Sequence, residues 1–255
     1  MLTDRGPTIV TMPRKLWIPV AGGLVLVLLG AGGAYAYFFS GLRATPSALT
    51  LPSPSPSPSS AASPSPSATS TGSGTWTIAT GSVAGYRVHE QFAGQSASHE
   101  AVARTSAVTG SVSITQAAAT YTMTSAKITV GLSELVSVDT VAGFNVSNRD
   151  SVVQRALNVG TFPTAVFEAT SVALPAAAAE GQTVTITVPG QLTVHGVTKP
   201  VTAKLQLRVS GDVAQIAGTI ATSMDDFGVS QPTAPFVTVE PGVTIEVALK
   251  LNRSA

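Results

Sequence analysis

From Thr75 to the C-terminus the apolar residues fall on every second position, and this regularity rules out most folds open to a chain of 255 residues. Val201, Ala203, Leu205, Leu207 and Val209 alternate with Thr202, Lys204, Gln206, Arg208 and Ser210. Val243, Ile245, Val247, Leu249 and Leu251 alternate with Thr244, Glu246, Lys250 and Asn252, and Val184, Ile186 and Val188 alternate with Thr183, Thr185 and Thr187. Successive side chains of a strand point to opposite faces, so each stretch predicts a strand with one buried and one solvated face. Weaker stretches lie around Trp76, Tyr86 to Val88, Val112 to Ile114, Tyr121 to Val130, Val166 to Val172, Leu192 to Val194 and Ile216 to Ile220. Together they bring the count to about eight or nine strands, punctuated by Gly and Pro. An all-β fold follows, an antiparallel barrel or sandwich.

One segment departs from period two. Ser147-Asn-Arg-Asp150 has the spacing of a capping box, with Asp in place of Glu or Gln, and Val153, Ala156 and Leu157 then recur at helical spacing before Gly160 and Pro163. A single helix is expected between strands. Its apolar stripe must cover something, and the open end of a barrel is the natural place.

The N-terminal part has a different texture. Leu16 to Phe39 carries no charge, and at about 1.5 Å per residue it is long enough to cross a hydrocarbon core of roughly 30 Å. Arg5, Arg14 and Lys15 precede it and only Arg43 closely follows, so the excess of basic residues predicts a cytoplasmic tail over 1–15 and export of everything after the span. The other reading of 16–39 is a cleaved signal peptide ending at Ala34-Tyr35-Ala36, whose small-x-small form signal peptidases accept. The run is longer than the 7 to 15 residues usual for such a core, which favours an uncleaved single-pass anchor at the cell membrane. Residues 40–74 contain PSPSPSPSSAASPSPS. Alternating Pro removes backbone donors and Ser supplies no apolar surface, so this stretch is expected to be a disordered tether and 75–255 the folded, extracellular domain.

Composition narrows the function by exclusion. Net charge is +1, with scattered Lys and Arg that form no basic stripe for nucleic acid. The Cys count of zero excludes disulfides, thiolate catalysis and Cys-ligated metal. His89-Glu90 and His99-Glu100 each begin like a zincin motif, but Ala93 and Ala103 stand where the second His belongs. No nucleophile elbow, phosphate loop or dinucleotide fingerprint occurs in the sequence. Asp225 and Asp226 are adjacent, and strand neighbours face opposite ways, so they are poorly placed as a catalytic pair. No catalytic residue, metal or cofactor is assigned.

Four stretches carry a family resemblance: TWTIATGSVAGYRVHEQ from Thr75, RDSVVQRALNVGTFPTAVFEAT from Arg149, GQLTVHGVTKPVTAKLQL from Gly190, and DDFGVS from Asp225. In this order they resemble the YceI-like family of exported, lipocalin-like polyisoprenoid-binding proteins. The resemblance implies an eight-stranded antiparallel barrel with a helix near one end, enclosing an elongated apolar pocket for an isoprenoid or fatty tail, and it brings no catalytic residues. The anchor and the Ser/Pro tether depart from freely periplasmic members.

An eight-stranded barrel is just wide enough either to be filled by its side chains or to hold one small ligand. Aromatic residues make up 5% of the chain, and small residues at expected inward positions, Ala203, Ala214 and Gly218, leave room. Candidates to line the pocket are Phe144, Val153, Leu157, Phe162, Phe167, Ala203, Gly218 and Phe227. A structural or protein-interaction domain with a filled barrel is the alternative. A hydrolase built on His89 or His99 with a nearby carboxylate is a third and weaker reading.

Overall fold

The computed structural model describes residues 43–53, 72–93, 98–141, 145–234 and 237–254. The expected cytoplasmic tail and membrane anchor, 1–15 and 16–39, lie outside these residues. No helix among the described residues is long and apolar enough to cross a membrane.

Ten main strands follow in chain order: β1 Gly74–Ile78, β2 Val83–Phe92, β3 His99–Thr105, β4 Val108–Ala117, β5 Thr120–Gly131, β6 Thr164–Leu174, β7 Val184–Val194, β8 Val197–Ser210, β9 Val213–Ser223 and β10 Val237–Arg253. Eight of them close a ring of antiparallel pairs in the order β1, β4, β5, β6, β7, β8, β9, β10 and back to β1. The long β10 makes closure possible: one edge pairs with β9 from Asn252 to Gly242, while the other pairs with β1 at its end and with β2 over most of its length. β1 and β2 thus form one bent strand along β10, and β3 and β4 form a second beside it. Ser82, 2% exposed, fills the first bend. Its hydroxyl donates to Ala79 O at 2.8 Å and accepts from the Lys250 N–H at 3.0 Å, satisfying backbone groups that the ladder leaves open there.

Period-two alternation is realised as the inner and outer faces of this ring. Trp76, Met123, Val188, Ala203, Leu207, Ala214, Ile220 and Leu251 belong to one buried inner cluster. The β7–β8 hairpin turns on two residues, with Val194 opposite Val197. His195 and Gly196 both have positive φ, 52° and 76°, the requirement of the mirror-image turn that matches strand twist. In β10 the ladder to β2 breaks between Val239 and Val243. Pro241, which has no N–H to give, sits in that irregular stretch.

The helix, α1 Ser147–Ala156, lies between β5 and β6 in sequence, as the spacing predicts. The expected capping box does not form. Asp150 instead accepts the N–H and hydroxyl of Ser137, at 2.9 and 2.7 Å, and the Ser147 N–H is met by Asn145 Oδ1 at 3.1 Å. Tertiary contact takes the carboxylate that a local cap would have used. After the helix Asn158 adopts φ 47°, so the chain turns out ahead of the Gly160 and Pro163 stop signals.

Part of the expected tether is laid on the barrel. Residues 45–53 run across its outer face, touching β3, β2, β10 and β8. Thr45 Oγ1 donates to Glu100 O at 3.2 Å; Arg87 Nη2 donates to Pro46 O at 2.6 Å and Arg104 Nη2 to Ser47 O at 2.7 Å. The Leu49 N–H donates to Glu246 Oε2 at 3.2 Å, and Arg208 Nη2 to Pro52 O at 2.8 Å. Disorder is therefore not the state of 45–53, because arginines on the barrel wall satisfy the carbonyls of its Pro- and Ser-containing backbone; residues 54–71 lie outside those described. Beneath this strap Glu246 is 0% exposed, although alternation puts it on the outward, supposedly solvated face. It is held by Arg87 Nε and Arg104 Nε, each at 2.7 Å. Burial alone would push its carboxyl up, but the hydrogen bonds from Arg104 and Arg87 outweigh that and hold it below the usual glutamate range.

Candidate functional site

Inside the ring lies a cavity of about 300 Å³, roughly twenty times the room one buried water needs. Its wall is built strand by strand from the inward half of each alternating pair. β7 contributes Ile186, Val188, Leu192 and Val194; β8 contributes Ala203, Leu205, Leu207 and Val209; β10 contributes Val243, Ile245, Val247, Leu249 and Leu251. At one end stand Trp76, Tyr121, Leu174 and Ala178, and at the other Val153 and Ala156 of α1, with Leu157 just after it, stand with Met224, Phe227 and Val229. The helix thus brings its apolar stripe to one end of the barrel, as its spacing predicts, though every residue of it stays at least partly exposed. Trp76 keeps its indole N–H satisfied by donating to Gly72 O at 3.1 Å, so the ring joins the apolar wall with no unmet donor.

Of the residues singled out from the sequence, Val153, Leu157, Phe167, Ala203 and Phe227 line this cavity. Phe144 lies outside the described residues. Phe162 and Gly218 do not line it. The Phe162 ring stands edge-on to His195, centroids 5.2 Å apart, beside the β7–β8 turn. Gly218 has the inward parity on β9, but a Cβ there would fall 2.1 Å from Lys204 O. The absent side chain makes room for the neighbouring strand and leaves none for a ligand. Gly190 does something similar on β7, where the Phe167 ring occupies the space a Cβ would take, at 2.6 Å.

Polar side chains interrupt the apolar wall at the helix end, Tyr86, Glu90 and Arg149 among them, with Thr222 and Ser223 beside Met224. Arg149 projects from α1 and donates to Glu90 Oε2 at 2.9 Å and to Asp139 Oδ1 at 2.7 Å. Asp139, 2% exposed, also accepts the Val102 N–H at 3.1 Å and pairs with His99 Nε2 at 2.7 Å. Burial would raise the Asp139 carboxyl, but the His99 and Arg149 hydrogen bonds outweigh it and the group is lowered. Glu90 goes the other way: desolvation exceeds the pull of Arg149 and raises it. Burial likewise raises the Tyr86 phenol far above its ordinary value, so it remains a neutral hydrogen-bond donor. This cluster was missed in the sequence. Its members come from β2, β3, the segment after β5 and α1, and only the pairing of β2 with β3 and the docking of the helix bring them together. Among the described residues no group of His, Cys, Asp and Glu is arranged to hold a metal ion.

Comparisons with known proteins agree with this architecture. A polyisoprenoid binding domain from Saccharophagus degradans superposes with a TM-score of 0.53 at 14% identity, covering 71% of this chain and 99% of that one. It is similar in fold. Two UPF0312 proteins, from Pseudomonas paraeruginosa and Pseudomonas aeruginosa, are each 38% identical over 107 residues, covering 39% of this chain. The matched region spans 50% of each relative's length. The model of the YceI-like domain matches residues 70–251, which takes in the helix and all of the ring but the last two residues of β10. The chain belongs to the YceI-like family.

Proposed function

We propose that this barrel is a binding protein, not an enzyme, and that it holds one long apolar molecule of the isoprenoid or fatty-acyl class, displayed outside the cell by an N-terminal membrane anchor. The observation that carries the binding reading is the continuity of the apolar wall from Trp76 at one end to Leu157 and Phe227 at the other. A filled barrel would present interdigitated side chains there. The solved relative described as a polyisoprenoid binding domain supports the choice of ligand class. At roughly 0.8 kcal/mol per buried CH₂, ten methylenes supply about 8 kcal/mol before ordering costs, so no charged or reactive group is needed for useful affinity.

The test is native mass spectrometry of the gently extracted domain, with uptake of prenyl and acyl chains of graded length. One bound chain is expected, with affinity rising by up to about 0.8 kcal/mol per added methylene until the cavity is full. Ala203→Phe is the companion variant. Ala203 lines the cavity and is 2% exposed, so a ring there should occupy ligand space and weaken binding at least tenfold while the domain still folds. A barrel that carries and takes up no lipid, and whose Ala203→Phe variant simply loses about 1 to 3 kcal/mol of stability, would replace this reading with that of an interaction domain.

A further inference from the structure

Arg149 is paired with Glu90 and Asp139 at the polar end of the cavity, and two side chains beside it keep polar atoms that nothing among the described residues meets. Glu90 is 5% exposed and accepts from Arg149 through Oε2; among the described residues its Oε1 has no hydrogen-bond partner. The Tyr86 hydroxyl, facing inward from the same strand and lining the same cavity, has none either among the described residues. Tyr86 and Glu90 are four residues apart on β2, so both fall on the inward face. Buried polar atoms left unpaired cost stability unless something meets them. Here they face the cavity in which the chain of a ligand would lie.

We propose that Tyr86 and Glu90 form a head-group subsite that takes a neutral, hydroxyl-bearing head at the end of an apolar chain. The inference rests on the lipid-binding reading and deepens it. A ligand hydroxyl supplies what the pair lacks: its O–H donates to Glu90 Oε1 and its oxygen accepts from the Tyr86 O–H. An anionic head such as a phosphate is a poor fit. It would stand beside the carboxylates of Glu90 and Asp139, and the guanidinium of Arg149 is already divided between those two groups. The subsite therefore selects among lipids by head chemistry, while the barrel wall selects by chain length.

Three probes with the same saturated, branched tail separate the possibilities: phytanol, phytanyl phosphate and the headless hydrocarbon phytane, titrated against the whole exported domain with native mass spectrometry or displacement of a fluorescent lipid. The alcohol should bind most tightly, about fivefold or more over the hydrocarbon, as one or two net hydrogen bonds allow, and more than tenfold over the phosphate. Tyr86→Phe should lower the preference for the alcohol over phytane about fivefold, with the thermal midpoint of the variant reporting that the barrel is intact. Glu90→Gln should narrow the gap between alcohol and phosphate, because it removes a negative charge while keeping the shape. If alcohol and hydrocarbon bind equally, or Tyr86→Phe leaves that preference unaltered, the subsite is refuted and the lipid reading stands. Tighter binding of the phosphate refutes it in the same way. If none of the three binds, both readings fall.

Discussion

Gly196 stands in the turn that leads into β8 and Gly218 on β9 beside it, and a side chain would meet a different obstacle at each. At Gly196 the obstacle is φ of 76° and a Phe162 ring atom 2.6 Å from where a Cβ would sit. Gly196→Val should cost about 1 kcal/mol or more, read as a lower denaturation midpoint; an unchanged midpoint would mean the turn tolerates ordinary dihedrals. At Gly218 the obstacle is the backbone of β8 itself, so even Gly218→Ala should destabilise, and Gly218→Phe is expected to unfold the barrel rather than fill its cavity. Equal melting of Gly218→Ala and wild type would contradict that close approach. The Gly196 turn was legible in the sequence because HG stands between two alternating runs. The role of Gly218 was not, since inward parity and small size read as free volume, and only the position of Lys204 on the neighbouring strand distinguishes a void from a contact. Phe162 was misplaced for a related reason: a large apolar residue after a helix looks like cavity wall, but it serves the turn instead.

Among the elements, the strap of 45–53 has the least support in the sequence and the most distinctive chemistry. Its recognition is almost wholly main-chain, carbonyls to Arg87, Arg104 and Arg208 and one N–H to Glu246, so a Ser/Pro-rich composition carries no sign of it. Glu246 was read as solvated by strict alternation along β10, and alternation did give its direction correctly. What it could not give is a second layer outside the barrel. The Glu246 carboxyl, lowered from the ordinary 4.5, contributes stability that is fully present above that value and is lost as pH falls from there through the folded value. Glu246→Gln should cost about 3 kcal/mol at neutral pH, leaving Arg87 and Arg104 short of a buried partner. It should also flatten the acid limb of the denaturation midpoint below pH 4.5 relative to wild type. Hydrogen exchange at the Leu49 amide should quicken in the same variant. Identical acid limbs would show that the strap does not depend on this carboxylate.

For the whole molecule, closure follows from β10 being long enough to pair with β9 along one edge and with both β1 and β2 along the other. The alternation of β8 and β10, the inserted helix and the β7–β8 hairpin were all readable, because each is encoded within one short stretch. The bends that split β1 from β2 and β3 from β4 were not, because they are fixed by contacts such as Ser82 with Lys250 that join distant parts of the chain. Export on an uncleaved anchor stays a proposal drawn from residues 1–39. Protease added to intact cells should release a barrel-containing fragment beginning within residues 44–74; a fully protected chain, or mature protein in the medium starting at Tyr37, would overturn it. The strap adds a consequence for any such attachment. Pro52 O accepts from Arg208 and Gly72 O from Trp76, so the strap is fastened to the same barrel that follows it in the chain. Because strap and barrel belong to one chain, the two meet as an intramolecular pair at an effective concentration on the order of millimolar. A free peptide of the same sequence would have to approach that concentration before it displaced the strap, and individually weak main-chain hydrogen bonds are then enough to keep the barrel flank covered.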